Sequence, residues 1–411
     1  MKSNYKPIGY YIQLVDERNA GHEVKNLLGL SISKQFIPSV ANIIGTDMEN
    51  YKIIRRNQFA CSTMQVRRDK KMPVALLQEV DEAIISQAYP IFEIAKAKEL
   101  LPEYLMMWFA RSEFDREACF NAVGGVRGSL EWEDFCDMKL PIPSITKQKE
   151  IVKEYNVIQN RIALNRQLIQ KLEETAQAIY KQWFVDFQFP FDFTSTPLST
   201  NAQGKPDVNG CQTEPAEVKP YKSNGGEMVF NEELEKEIPK GWEVKPLADL
   251  SELKYGKMLD AELFLESGYP IFSGYGVRGY YSEYMFEEPQ ILVLCRGVSG
   301  TGKVKLSPPF AYITNLSIIV ESKQELIKKM FLFYFLKNGN LRSLDSGSAQ
   351  SQITTGDLYV QPILVPSIFI QTKFNECIEK LMNKKELHEK GIGILDNFQS
   401  LLLSKLATVE D

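Results

Sequence analysis

Histidine is almost absent from this chain: there are 2 in 411 residues, His22 and His388. A histidine-rich metal centre, or a catalytic relay built on imidazole, is therefore not expected. Cysteine is sparse and scattered. Cys61, Cys119, Cys136, Cys211, Cys295 and Cys377 form no C-x-x-C pair, which argues against zinc and suits reduced thiols in a cytosol. No run approaches the ~18 apolar residues of a membrane span. The opening MKSNYKPIGY carries no apolar signal region, so a cytoplasmic protein is expected. Basic excess is lacking too, with 48 Lys and Arg against 53 Asp and Glu and a net charge of −5. No segment reads as a strongly basic module. Nucleic-acid binders usually show a basic footprint, so any DNA affinity must come from local clusters or from partner subunits. Core material is ample, at 44% hydrophobic and 11% aromatic, and the length allows two or three domains.

What the chain does have is an internal repeat. Residues 140–187 begin LPIPSITKQKEIVKEYNVIQ, and residues 363–406 begin ILVPSIFIQTKFNECIEKLM. An offset of 223 places Pro143 on Pro366, Ser144 on Ser367, Gln148 on Gln371 and Leu172 on Leu395. In the first copy Ile151, Tyr155, Ile158, Ile162, Asn165, Ile169, Leu172, Ala176, Ile179 and Trp183 recur in steps of four and three. This is a coiled-coil seam, apolar except at Asn165. The second copy carries Phe374, Ile378, Leu381, Lys385, His388, Ile392, Leu395, Gln399, Leu402 and Leu406 at equivalent places. Its three polar residues make it the poorer seam. The contacts between the helices are expected to centre on Ile151, Ile158, Ile162, Asn165, Ile169, Leu172 and an isoleucine at position 178, facing His388, Leu395 and Leu402. Ser144 and Ser367 each follow a proline and stand where an N-cap belongs. Two helices of roughly 40 residues, some 60 Å long, each preceded by a globular region, describe a two-headed ruler. The expected fold is α+β: two mixed globular units joined to two long helices that pair as an antiparallel coil with approximate twofold symmetry. Asn165 and His388 are expected in adjacent middle layers.

The expected segments are a first globular domain over 1–143, a first long helix over 144–187, a polar linker over 188–240, a second globular domain over 241–366 and a second long helix over 367–411. In the first domain, strands are expected at 51–54, 58–66 and 88–94, and helices at 101–114 and 131–137. In the second, strands are expected at 290–294 and 310–320 and a helix at 323–337. The loops VGGVRGSLEW and SGSAQSQIT keep the repeat offset, with Gly124 on Gly347 and Leu130 on Ile353. The repeat therefore reaches back into each globular unit, although the front parts have diverged.

Three fragments imitate catalytic motifs. Gly297 to Gly302-Lys303 has phosphate-loop spacing, but Val304 replaces the Ser or Thr that magnesium needs, and the following residues alternate as a strand does. Ser307-Pro308-Pro309-Phe310 copies the tetrad with which amino-methyltransferases hold a flipped base, without a separate glycine loop for the methyl donor. Pro206-Asp207 with Glu217-x-Lys219 has a nuclease skeleton but no apolar strand to hold it. No catalytic site and no metal site emerges. For DNA, the candidate residues are Arg55, Arg56, Arg67, Arg68, Lys70, Lys71 and Arg127 in the first unit. In the second they are Tyr275, Arg278, Arg296, Lys303, Gln350 and Gln352. Arg reads guanine edges and Gln reads adenine edges bidentately, and loops on a rigid scaffold are where readout belongs. The simpler account of the arginine and lysine runs is a solvated surface.

These segments together resemble one family, the DNA specificity subunit of type I restriction-modification systems. The residues that carry the resemblance are IPSITKQKEIV, LEETAQAIYKQWFVDFQFPF at 172–191, GWEVKPLADL at 241–250 and VPSIFIQTKF. The opening YKPIGYYIQLVDERN, with SISKQFIPS, YKIIRRNQFA and LPEYLMMWFARSEFDREACF, is similar to one variety of first recognition domain. The resemblance implies two target-recognition domains that each read half of a split DNA site, and a coil that fixes the gap. It implies no catalysis and no cofactor in this chain. The partners it implies are double-stranded DNA, two methyltransferase subunits that use S-adenosylmethionine, and restriction-translocase subunits that use ATP and Mg. A free-standing methyltransferase or nuclease, and a protein-binding scaffold, are the readings from other classes.

Overall fold

A computed structural model describes residues 4–39, 48–125, 128–191, 218–297, 300–345 and 351–409. The chain divides into two compact units, residues 1–167 with 388–411, and residues 168–387.

In the first unit the strands are β1 (Tyr5–Pro7), β2 (Ile12–Val15), β3 (Leu28–Leu30), β4 (Phe36–Pro38), β5 (Lys52–Arg55), β6 (Phe59–Cys61), β7 (Val74–Leu76), β8 (Glu82–Ile85), β9 (Ile91–Ile94) and β10 (Lys139–Pro141). The helices are α1 (Val66–Asp69), α2 (Pro102–Phe109), α3 (Ser112–Asn121), α4 (Trp132–Asp137) and the long α5 (Ile145–Tyr180). The main sheet runs β2-β9-β6-β7, all antiparallel. It is covered by α2, α3 and α4 through an aromatic core, in which Phe59 stacks on Phe92 at 4.9 Å and Phe109 lies 4.9 Å from Phe114. The chain enters on β1 and leaves on β10, which pair antiparallel with Tyr5 opposite Pro141. The strand expected over 58–66 stops at Cys61, because Gln65 turns left-handed (φ 64) to start α1. The helix expected over 101–114 is two helices. Arg111 is extended between them, its guanidinium stacked 4.1 Å from the Trp108 ring.

The second unit continues the series. Its strands are β11 (Pro190–Phe191), β12 (Lys219–Pro220), β13 (Met228–Asn231), β14 (Lys236–Pro239), β15 (Glu243–Pro246), β16 (Ser251–Tyr255), β17 (Tyr269–Phe272), β18 (Val277–Tyr281), β19 (Ile291–Leu294), β20 (Val304–Leu306), β21 (Tyr312–Ile313), β22 (Ser317–Ser322) and β23 (Pro362–Val365). Its helices are α6 (Leu247–Leu250), α7 (Lys329–Asn338), α8 (Thr355–Tyr359) and the long α9 (Ile368–Lys405). The main sheet runs β16-β22-β19-β20, again antiparallel, and β15 pairs with β23 as β1 pairs with β10. The two units thus share one main-sheet topology, where the front sequences show no repeat. The strand expected over 310–320 is broken at Thr314 into β21, beside β17, and β22 in the main sheet. Gly256 abuts the Thr314 carbonyl so closely that a Cβ has no room there. The helix expected over 323–337 starts only at Lys329, because residues 323–327 form a turn closed by Ile327 N–H to the Lys323 carbonyl.

The linker expected over 188–240 is structured wherever it is described. Met228–Asn231 and Lys236–Pro239 form a hairpin. Phe189 stacks on Tyr221 at 4.6 Å and on Trp242 at 5.4 Å. Aromatic burial orders both ends of a stretch whose composition reads as loop. Residues 192–217 lie outside the described residues.

The long helices pack antiparallel. In the first unit Tyr155 on α5 meets Gln399 on α9 and Asn165 meets His388, so one number rises as the other falls. In the second unit Glu173 meets Lys385, and Tyr180, Trp183 and Phe184 surround Phe374. Every residue of the two four-three series is buried or half-buried. Position 178 is a correction: it holds Ala178, not isoleucine, and it is exposed. The isoleucine is Ile179, half-buried against the core of its unit. A step of six from Leu172 turns a residue off the face that a step of seven keeps, which is why Ala178 falls outside the seam. Ile151 joins Leu402, Leu403 and Leu406 in one cluster, as the expected overlap requires. Asn165 and His388 share a layer rather than occupying adjacent ones, with Asn165 Oδ1 2.9 Å from His388 Nδ1. They are 223 residues apart, the repeat offset itself.

Candidate nucleic-acid interface

Each unit builds the same loop pair on the same part of its sheet. In the first unit, the loop joining β6 to β7 (residues 62–73) lies against the glycine loop before α4. Leu130 N–H donates to the Thr63 carbonyl at 2.9 Å, and Val66 N–H donates to the Gly128 carbonyl at 3.0 Å. In the second unit, the loop joining β19 to β20 lies against the loop before α8. Ile353 N–H donates to the Cys295 carbonyl at 3.0 Å, and Arg296 bridges Gln352. Leu130 and Ile353 are repeat equivalents, so the two partner loops are equivalent as well. The sequence alone related only the second loop of each pair.

In the first unit the loop 62–73 collects Arg67, Arg68, Lys70 and Lys71. Arg67 Nη1 donates to the Gly124 carbonyl at 2.9 Å and its stem fills the space beside Gly128. Arg68 pairs with Asp69 at 2.6 Å. Lys70 and Lys71 are exposed and make no ion pair among the described residues. Gln65 and Lys70, both with positive φ, flank α1 and hold the loop in a fixed bend. Arg127 lies outside the described residues. Arg55 and Arg56 stand on another element, at the end of β5. Arg55 pairs with Glu17 and Glu82 at 2.7 Å each, and Arg56 with Asp81 at 2.8 Å. Their guanidinium groups are already occupied in tying β5 to β8 and the segment before it.

In the second unit Tyr275, Arg296, Lys303 and Gln352 come together. The Tyr275 hydroxyl donates to the Arg296 carbonyl at 2.6 Å, and its ring packs on Gly297 and Gly300, where no Cβ would fit. Lys303 closes the loop through its backbone, leaving its ammonium exposed. Arg278 donates from Nε to Ser273 Oγ at 3.4 Å, beside the same turn. Gln352 N–H is held by Asp345 at 2.8 Å, and Gln350 lies outside the described residues.

The catalytic imitations have structural explanations. Lys303 leads into strand β20 rather than a helix. Ser307 Oγ accepts from Gln290 N–H at 2.8 Å and donates to the Pro308 carbonyl at 3.0 Å, so it serves as the turn of β20. Pro206, Asp207 and Glu217 lie outside the described residues, and Lys219 is the first residue of β12.

Sequence reasoning missed a second apolar row on α9. Leu387, Ile394, Phe398 and Leu401 are 56–70% exposed and keep the four-three spacing of a coil, with Gly391 between. The signal was present as heptad periodicity on a face other than the seam.

One sheet topology used twice, each copy carrying an equivalent loop pair and feeding a long helix, defines an internally duplicated protein. Residues 72–174 and 239–394 match the type I restriction modification DNA specificity domain, and the chain belongs to that family. It is 23% identical over 330 residues to the type I restriction enzyme MjaIX specificity subunit of Methanocaldococcus jannaschii, covering 75% of this chain and 68% of that one. It is 24% identical over 383 residues to the HindI specificity subunit of Haemophilus influenzae, covering 81% and 82%. Its fold is similar to the crystal structure of the type I restriction-modification S subunit from M. genitalium, with a TM-score of 0.56, 16% identity and 99% and 96% coverage. Among the described residues no helix is long and apolar enough to cross a membrane.

Proposed function

We propose that this chain is the sequence-specific DNA recognition subunit of a type I restriction-modification complex and that it reads a bipartite target. The observation that carries the reading is the equivalent loop pair in two units of one topology. Each unit reads one half-site through its loop pair: Arg67 to Lys71 with Arg127 in the first, and Tyr275, Arg278, Arg296, Lys303, Gln350 and Gln352 in the second. The coil sets the gap. Two methyltransferase subunits and the restriction-translocase subunits are the partners. Those partners bind S-adenosylmethionine, ATP and Mg and carry out the chemistry. The exposed row from Leu387 to Leu401 supports docking of a partner helix on the coil, because heptad spacing fits one α-helix laid along another. The sparse basic charge fits a reader that shares its DNA contacts with other subunits.

The test is to purify the complex, supply methyl donor and sequence the methylated sites. Adenine methylation at a split motif with a fixed gap supports the reading. Methyl transfer or cutting by the chain alone, or a complex with no sequence preference, would overturn it.

A further inference from the structure

Gln148 and Gln371, fixed by the repeat, do the same unusual thing. Both side chains are wholly buried. Gln148 Oε1 accepts from Leu101 N–H at 2.9 Å, and its Nε2 donates to the carbonyls of Glu99 at 2.7 Å and Pro143 at 2.9 Å. Gln371 Oε1 accepts from Lys328 N–H at 2.8 Å, and its Nε2 donates to the carbonyls of Leu326 at 3.5 Å and Pro366 at 2.8 Å. Leu101 is the cap of α2 and Lys328 the cap of α7. Pro143 and Pro366 follow the strand that leads out of each unit. One amide therefore ties three things: the first turn of a long helix, the strand that feeds it, and the start of the globular unit's main helix. Neither glutamine is on a reading loop. Each amide uses its acceptor and both donor hydrogens, so a substitution leaves buried backbone groups unpaired.

We propose that Gln148 and Gln371 are positioning residues that fix the angle at which each recognition unit leaves its long helix, and so set how strictly the gap between half-sites is read. The proposal rests on the bipartite reading above and concerns only its geometry. A coil of fixed length gives a fixed gap only if both junctions are rigid. Junctions made of packing alone would tolerate small rotations, and a few degrees at the base of a unit move its reading loops by ångströms. Three directional hydrogen bonds at each junction remove that freedom.

The experiment uses the complete complex. Substrates keep both half-sites and vary the gap from one base pair shorter to one longer than the wild-type motif. Gln148→Leu and Gln371→Leu keep the volume and lose all three bonds. For each, the preference for the native gap is expected to fall about tenfold, as the loss of a few net hydrogen bonds allows. Single-base changes within a half-site stay as costly as in the wild type. Gln148→Glu is isosteric and sets a carboxylate against two carbonyls. Burial raises the pKa of the new carboxyl above the usual carboxylate range, so the variant is expected to relax the gap at pH 8, where more of the carboxyl is ionised, more than at pH 6, and it carries the comparison if the leucine variant does not fold. Folded variants that lose methylation equally at every gap, with the native preference intact, would show a merely structural role and overturn the proposal. A wild-type complex without any split motif would instead remove the reading on which it rests.

Discussion

Lys34 turns the β3–β4 hairpin with φ 63 and buries its ammonium, leaving the side chain 8% exposed. The nitrogen lies 2.8 Å from Asp115, donates to the Phe109 carbonyl and sits 5.0 Å over the Phe114 ring. Burial pushes its pKa below the usual lysine value, and Asp115 opposes that shift. Asp115 also accepts from Met72 N–H at 3.1 Å, so this pair fastens the hairpin to the helices behind the β6–β7 loop. Lys34→Met would leave a buried carboxylate without its counter-charge. It should cost about 3 kcal/mol in urea unfolding of the chain; a loss within ~0.5 kcal/mol would mean the pair is solvated. The three polar residues that make the second seam look poor are each answered across the coil: Lys385 by Glu173, His388 by Asn165 and Gln399 by Tyr155. Seam polarity specifies register at some cost in stability. Asn165→Leu alone should therefore destabilise by roughly 1–2 kcal/mol, because it strands the imidazole. Asn165→Leu with His388→Leu should recover that loss in the same melts. Additive losses would contradict coupling.

At the scale of elements, the helices were the most legible part, because a period of 3.5 held over many residues is the signature of a coiled coil. Topology was not legible in the diverged fronts. Strands of three to six residues carry too short a pattern to register, and β2-β9-β6-β7 resembles β16-β22-β19-β20 only in space. The proposed reading loops were half visible. The repeat marked Leu130 and Ile353, but the β6–β7 and β19–β20 loops are joined to them by backbone bonds that side-chain types do not encode. Arg55 and Arg56 looked unopposed in the sequence because Glu17, Asp81 and Glu82, with which they pair, are distant along the chain. The row on α9 yields a prediction at this scale. Ile394→Glu with Phe398→Glu should leave thermal unfolding unchanged, since both side chains are already exposed. The same pair should abolish co-purification of the methyltransferase subunit. Retained binding would place the docking face elsewhere.

Under the proposed function, the whole molecule separates what is read from how far apart it is read. Arg296→Ala should relax one half-site at a single base, by roughly 1–3 kcal/mol, if it makes a base contact. Lys70→Ala with Lys71→Ala should weaken all sequences alike and reduce the salt slope, as phosphate contacts do. Neither should alter the gap. A matched deletion of one heptad, residues 166–172 with residues 381–387, keeps the seam in phase and spares the Asn165–His388 pair. It shortens the coil by about 10 Å at ~1.5 Å per residue. That is roughly three base pairs at ~3.4 Å each. Both half-sites should survive in the methylated motif of the deleted complex, with fewer bases between them. The length of the change tests the ruler directly, because no loop residue has been touched. An unchanged gap would mean that partner subunits, rather than this coil, hold the two half-sites apart. Loss of one half-site with the other kept would mean that the deleted turns support a reading unit and do not merely space it.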